Sequence, residues 1–517
     1  MRELARKIPA GGTRRRTTLL AAGACIFAAG ALAEDLNVQG EVSSFFARDR
    51  DGDSLAEIFV SYHEGSQRFL GIFRGQRAYS SLPDTVIPVD PQAVLFTLGD
   101  FDAAPGLDVV LVSRSSAVIY PLGAAGAAAA PRKIADVDLF FTVPSRSSFP
   151  AWLSRFPMDL DKNGAEELAL PEKRSLRILW DVSPRHGEKD PGAKESSPPS
   201  GGQTPRASKL PISFYLLTDA RSEKLEKALE DFAEADKSPT ALLDATAALP
   251  FPLFRDFDGD GRTDVIVKQP GQRLEVFLQR SGDFPTAPDL QVPIPWAKEA
   301  TSLELIDLNG DRRLDIVASQ LLLKDLASEV KIFIQDPSRP QSGFAEAVQV
   351  LRIQGFFRAP SFADADQDGR TDLLVTMYRV DLLESIKKDT VDEVELTHEI
   401  FRGTAETPFE RRPSFRQAFT VRTRDLEAKG SRSSLVAGHD MTGDGRPDIL
   451  FLDGGRGLRL HRAIAGSALR YEEIRAFTER VDDPESVETA NLDGKPGDEV
   501  ILRYKRSLQV HRSGGSP

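Results

Sequence analysis

The chain has 517 residues and only one cysteine, Cys25. No disulfide can form within a single copy, and a cysteine-built zinc site is excluded. Histidine is almost as scarce. The six (His63, His186, His398, His439, His461 and His511) are scattered without the spacing of a metal helix. Three tryptophans and seven tyrosines are few for the aromatic platforms on which sugars stack. No apolar run after residue 30 is long enough to cross a bilayer. A Gly-x-Ser-x-Gly elbow and a phosphate-binding glycine loop are also missing, which removes two common catalytic frameworks.

What is present begins with the pattern of an export signal over residues 1–33. Arg14-Arg15-Arg16 precede an apolar stretch, Leu19 to Gly30, which ends in Ala31-Leu32-Ala33 before Glu34-Asp35. Charge, apolar run and A-x-A site in that order describe a secretory peptide, and the arginines also suit the twin-arginine route. Cys25 lies inside this leader; a lipid-type cleavage there would leave Ile26-Phe27-Ala28-Ala29, so cleavage after Ala33 is the expectation. The leader holds six basic residues and one acid, so its removal takes the net charge from −12 to −17. A field of that sign disfavours nucleic acid and anionic membranes as partners. The mature chain, 34–517, is expected in the periplasm or outside the cell, with no membrane span.

Within the mature chain one acidic nonapeptide recurs eight times, starting at Asp49, Asp100, Asp159, Asp256, Asp307, Asp364, Asp440 and Asn491. Three of the seven intervals are 51 residues, so about 51 is the basal unit, in the range of propeller blades and solenoid repeats. A short apolar run follows each motif, as in Ile58-Phe59-Val60, Val265-Ile266-Val267 and Val500-Ile501-Leu502. These read as buried strands. One unit is therefore a strand, an acidic loop, an inner strand, a third strand and a weaker outer strand. Four strands per unit around an axis predict an all-β propeller. Only two strands follow the last motif, and Asp35 to Val42 precede the first. Pairing the two ends predicts eight blades, with seven as the alternative.

Three segments break the rhythm. Residues 184–209 are rich in Pro, Gly, Ser and charge and are expected to be disordered. The apolar strand Ile212–Leu217 follows. Residues 221–247 then place Leu225, Ala228, Leu229, Phe232 and Ala233 at helical spacing, which predicts a small helical insertion. In the 76-residue interval, Val394, Leu396 and His398 to Phe401 predict an added or lengthened strand.

The loop Asp256-Phe257-Asp258-Gly259-Asp260-Gly261-Arg262-Thr263-Asp264 is the cleanest copy. Carboxylates at positions one, three, five and nine form an oxygen cage suited to calcium, with no nitrogen or sulfur donor to favour zinc or copper. Glycine at six permits the turn. Position twelve lies in the following strand, which rules out an EF-hand. The pattern resembles the FG-GAP and VCBS repeats, the calcium-bearing blades also found in the integrin α-subunit propeller, from about Phe45 to Leu508. Position by position, the resemblance implies the ligands Asp256, Asp258, Asp260 and Asp264 in one loop and Asp364, Asp366, Asp368 and Asp372 in another. It further implies Asp49, Asp51, Asp53 and Glu57, and likewise Asp159, Asp161, Asn163 and Glu167. Asp307, Asn309, Asp311 and Asp315 fit, with Arg312 in place of the glycine. In Asp440, Thr442, Asp444 and Asp448 a hydroxyl replaces one carboxylate. The loops at Asp100 and Asn491 depart further, with Ala104 and Lys495 at position five, and are read as turns without metal. Five or six calcium ions are expected, each clamping one blade and coupling metal binding to folding.

Ions spread around a ring cannot all be catalytic, so the expected function is a monomeric, non-enzymatic scaffold that binds a protein or glycan ligand. The alternative is a calcium-assisted carbohydrate-active enzyme, such as a polysaccharide lyase. His439, beside Asp440, is the one histidine adjoining a loop and is read as incidental.

Overall fold

In the computed structural model residues 33–512 are described, apart from 50–52, 102–106, 114, 123–129, 140–150, 153–156, 173–174, 181, 183–205, 213–251, 270–272, 281, 294–299, 323–324, 339–343, 345, 358, 379–392, 423–434, 454–456, 465–469 and 475–483. The apolar runs that follow the acidic motifs all become second strands of sheets. They are Glu57–Glu64, Asp108–Ser113, Glu167–Glu172, Asp264–Gln269, Asp315–Leu322, Asp372–Tyr378, Asp448–Asp453 and Glu499–Arg503. A strand covered on both faces needs continuous apolar sequence rather than alternation. Asp108–Ser113 is buried at every residue for that reason.

The first blade consists of Glu41–Arg48, Glu57–Glu64, Gln67–Phe73 and Thr85–Val89, antiparallel and in chain order. Six further sheets repeat this order. The second gains a fifth strand, Ala151–Trp152, parallel to its first strand Ala93–Gly99. The eighth takes Ser486–Ala490, Glu499–Arg503 and Ser507–His511 from the chain end and its outer strand, Glu34–Asn37, from the beginning. Glu34 lies opposite Val510 and Leu36 opposite Leu508. The ring therefore has eight blades, closed by its two ends, and the alternative of seven is set aside. The stretch 35–42 is divided between two blades. The chain turns at Gly40, where a Cβ would lie 2.1 Å from the carbonyl oxygen of His63.

The core lies between blades. Leu36, Val42, Ile58, Ile501 and Leu508 join the eighth blade to the first. Phe46, Phe59, Phe96 and Val109 join the first to the second. One large cluster around Trp180 spans the second to the fourth, and smaller ones carry the contact through the fifth, sixth and seventh to the eighth. Tyr79, Phe284, Phe344 and Phe409, each in a connection between third and fourth strands, are 8%, 8%, 8% and 0% exposed and wedge into these boundaries. Trp180 and Phe284 stack at 6.1 Å.

The departures from rhythm resolve as follows. Glu393–Phe401 is a nine-residue third strand in the sixth blade, lengthened as expected. The disorder expected over 184–209 is corrected at its end, because Arg206–Leu210 is the outer strand of the third blade. Pairing with Ser175–Trp180 outweighs the polar composition there. Trp180 Nε1 donates to Ser208 Oγ at 2.7 Å, and the Arg206 guanidinium lies 4.8 Å above the Trp180 ring. The rest of that segment, the helix expected at 221–247 and all but Ile212 of the strand after it lie outside the described residues. Among the described residues there is no helix, and hence none long and apolar enough to cross a membrane.

Leu36 is 1% exposed and is the apolar anchor of the closing strand. Leu36→Ala should destabilise the protein by about 3 kcal/mol, the usual cost of such a cavity. Denaturant unfolding that shifts by less than a third of this would show that ring closure does not depend on it.

Candidate metal centres

Every acidic loop links the first strand of a blade to the second, so all eight lie on one face of the ring. Backbone geometry sets their shape. Position four is left-handed at Lys162 (φ 60), Gly259 (φ 79), Gly310 (φ 78), Gln367 (φ 61), Gly443 (φ 74) and Gly494 (φ 68). Position six is left-handed at Ser54 (φ 70), Gly164 (φ 86), Gly261 (φ 85), Arg312 (φ 69), Gly369 (φ 84) and Gly445 (φ 79). Two such residues reverse the chain within a few bonds and turn successive amides inward. Arg312 adopts the same geometry as the glycine it replaces, so the turn at Asp307 is intact.

The inward amides are held by the acids themselves. Asp256 accepts the N–H of Gly259 on Oδ1 and of Gly261 on Oδ2, both at 2.8 Å. Asp307 does the same with Gly310 at 2.7 Å and Arg312 at 2.8 Å, and Asp440 with Gly443 at 2.7 Å and Gly445 at 2.6 Å. Asp159, Asp364 and Asp49 accept the position-six N–H at 2.9, 2.9 and 3.0 Å. Position five accepts the N–H two residues on, at Asp53, Asn163, Asp260, Asp311, Asp368 and Asp444, over 2.7–3.0 Å. Position three accepts from position five at Asp161, Asp258, Asn309 and Asp366 over 3.0–3.2 Å. Asp51 lies outside the described residues.

Three carboxylate trios converge, with one oxygen from each residue within 4.8 Å of the other two: Asp159, Asp161 and Glu167; Asp256, Asp258 and Asp260; Asp364, Asp366 and Asp372. Oxygens on opposite sides of a calcium ion bonded at about 2.4 Å are separated by about that span. The donor sets fit a hard cation. Asp307, Asp311 and Asp315, with Asn309, and Asp440, Asp444 and Asp448, with Thr442, share the loop geometry but form no such trio. Asn309 Nδ2 instead donates to Asp311 Oδ2 at 3.1 Å, and the N–H of Thr442 donates to Asp448 at 3.0 Å.

Position nine is where the structure adds most. The eight acids there (Glu57, Asp108, Glu167, Asp264, Asp315, Asp372, Asp448 and Glu499) are all 2% exposed or less. One oxygen accepts the position-two N–H: Asp264 from Phe257 at 2.8 Å, Asp315 from Leu308 at 3.0 Å, Asp372 from Ala365 at 2.8 Å and Asp448 from Met441 at 2.9 Å. The other accepts an N–H at or just beyond the end of the third strand, from Gln279, Gln335, Gly403 and Ala463 respectively, over 2.8–3.0 Å. Sequence reasoning assigns this residue to the cage alone. Its second partner comes from fifteen to thirty-one residues further along, where no motif marks it. Burial pushes the carboxyl of Asp264 up to about 7, and those of Asp315, Asp372 and Asp448 up to about 6, with the neighbouring loop aspartates adding to the effect.

Side-chain cations complete several loops, and they too escape the motif. Arg262 meets Asp260 at 2.8 Å and Arg370 meets Asp368 at 3.0 Å. Arg402, beyond the third strand of the sixth blade, pairs with Asp366. In the loop at Asn491, Lys495 Nζ donates to Asp493 Oδ2 at 2.5 Å, within the loop read as metal-free. Beside the other departing loop, Glu166 accepts the Asp100 N–H at 2.8 Å and an Arg48 N–H at 3.3 Å. His439 pairs with Asp498 at 2.9 Å. His398 is fully buried against Thr376 at 2.9 Å, and burial lowers it to about 4.

The loops also touch one another. The position-eight N–H donates across the blade boundary: Ala56 to Leu492 O at 2.9 Å, Glu166 to Asp100 O at 2.8 Å, Leu314 to Phe257 O at 3.4 Å and Asp498 to Asp440 O at 2.7 Å. Lys162 Nζ reaches Gly261 O at 2.6 Å, and Gln367 Nε2 reaches Asp444 O at 3.4 Å. Among the described residues these contacts bridge six of the eight blade boundaries along the acidic collar.

Fold and loops together define an eight-bladed β-propeller with acidic repeat loops. The FG-GAP-like repeat model matches residues 256–318, two consecutive loops of this collar, so the chain carries an FG-GAP-like repeat within its propeller. No individually curated protein matches the chain significantly. Among solved structures it is similar to the Dos1 propeller, at 11% identity over 93% of this chain and 95% of that one, with a TM-score of 0.39. It is similar also to the WD40 domain of SCAP from fission yeast, at 7% identity over 94% and 95%, with a TM-score of 0.41.

Two outcomes follow from this geometry. Arg312→Gly relieves a left-handed arginine and should stabilise the protein by about 0.5–1 kcal/mol, after allowing for the freer unfolded chain; a loss of stability would mean that the arginine side chain makes a contact worth more than the strain. The second concerns pH. An acid whose pKa is raised by folding contributes stability below its unfolded value near 3.8, and loses it as pH rises through the folded value. In chelator, the four buried aspartates should therefore make the melting temperature rise as pH falls from 7.5 to 5. With excess calcium that trend should flatten or reverse, because protons then compete with the ion. Calorimetry showing the same slope in both conditions would separate these acids from any metal.

Proposed function

We propose that this protein is an exported binding scaffold whose propeller is clamped by calcium in its blade loops. The observation that carries the reading is the convergence of three all-oxygen carboxylate trios in the corresponding loops of three blades, from positions one, three and nine in two of them and one, three and five in the other. In this reading Asp159, Asp161 and Glu167, with Asn163, hold one ion. Asp256, Asp258 and Asp260 hold another, with Asp264 behind them, and Asp364, Asp366 and Asp372 hold a third, with Asp368. The loops at Asp49, Asp307 and Asp440 bind by the same pattern, for five or six ions in all. Each ion neutralises carboxylates crowded at one turn, so its binding energy adds to the stability of the folded state. The metal is structural, and the ring presents recognition surfaces for a protein or glycan ligand. Position in the periplasm or outside the cell, where calcium is abundant and disulfides would otherwise serve, accords with the absence of cysteine from the mature chain.

Asp258→Ala and Asp366→Ala should each remove one calcium ion from the stoichiometry and lower the melting temperature by several degrees, while excess chelator should lower it further in the parent protein. Isothermal titration together with metal analysis reads this directly. Unchanged stoichiometry in both variants would sink the ligand assignment.

A further inference from the structure

The closing strand starts at the residue that follows the expected leader cleavage site. Glu34 Oε1 accepts from Arg512 Nε at 2.7 Å, and its Oε2 accepts from the Tyr79 N–H at 2.7 Å. Arg512 also lies 5.1 Å above the Tyr79 ring and donates to Gln76 O at 2.9 Å. The Tyr79 hydroxyl donates to Ala56 O at 2.6 Å. Next in the chain, Asp35 accepts from Gln509 Nε2 at 3.1 Å, Leu36 is 1% exposed, and the Asn37 N–H donates to Ser81 O at 2.9 Å. Residues 34–37 are therefore paired with 507–510 from the first residue onward, with no spacer between Ala33 and the clasp.

A peptidase must take several residues on each side of the scissile bond into its cleft in extended, unpaired form. With the ring closed, Glu34 and Asp35 meet that requirement only when the clasp frays. We propose that the leader is removed before the ring closes, so that closure seals the new end, and that the chain is exported unfolded rather than as a finished propeller. The ion pair, the bond to the Tyr79 amide and the strand pairing are the bolt. This proposal rests on the export reading given above and adds to it the order of events and the route.

The test uses the full-length precursor, folded in calcium and treated in detergent micelles with a leader peptidase that cuts after A-x-A. Intact mass and N-terminal sequencing follow the reaction. A second precursor carries six Gly and Ser residues inserted between Ala33 and Glu34, and a third carries Arg512→Ala, which loosens Glu34 without altering the cleavage site. Melting curves establish that all three are folded. The expected result is cutting after Ala33 roughly tenfold or more slowly in the parent than in the spacer form, with Arg512→Ala between them, as local opening controls access. Equal rates in parent and spacer forms overturn the proposal and leave the export reading standing. If neither form is cut after Ala33, even when unfolded, the export reading fails and the proposal with it.

Discussion

In four of the eight blades a buried carboxylate that accepts one amide from its own loop and another from the far end of the third strand holds the blade in register. Desolvation of that group is costly, as the raised values of Asp264, Asp315, Asp372 and Asp448 show. Two backbone bonds per carboxylate offset part of that cost, and they do so by tying three parts of a blade together: the loop, the head of the second strand and the tail of the third. The acid is therefore a packing element as much as a charge. Its place at the start of the most buried strand explains why the acidic motif and the apolar run are never separated in this chain.

The collar of loops extends this arrangement from one blade to the next. Several of its acids are paired with cations of the chain itself, including Arg262 on Asp260, Arg370 on Asp368 and Arg402 on Asp366. The departing loop at Asn491 does the same with Lys495 on Asp493, and Arg48 of the first blade pairs with Glu166 of the third beside Asp100. Left-handed residues at positions four and six set the turn in the loops at Asp159, Asp256, Asp307, Asp364 and Asp440, whereas at Asn491 the second left-handed residue is Gly497, one place later, because Pro496 holds position six.

Much of this was legible in the sequence for a plain reason: a period of about 51 residues repeats the same local physics. Acid, glycine and apolar residues at fixed offsets specify a turn and a strand without help from distant parts of the chain, and the lengthened strand at Glu393–Phe401 was visible as extra alternation. What escaped notice was nonlocal. Nothing in the motif shows that Asp264 will meet the Gln279 amide or that Arg402 will reach Asp366. Arg206 to Lys209 look like the end of a polar, Pro-rich tract, and only the facing Trp180 makes them a strand. Arg312 pointed the other way: a side chain unsuited to a left-handed turn is held there by the hydrogen bonds of Asp307.

The pairing of residues 34–37 with 507–510 has a topological consequence. A ring whose first and last strands share one sheet has, as far as its fold is concerned, no obligatory beginning. Opened at an exposed turn such as Gly65, where φ is 59 and no atom crowds the Cβ position, and joined from the last strand to the first, the same residues would describe the same ring. The order in which the ribosome reads this molecule is one choice among several cyclically equivalent ones.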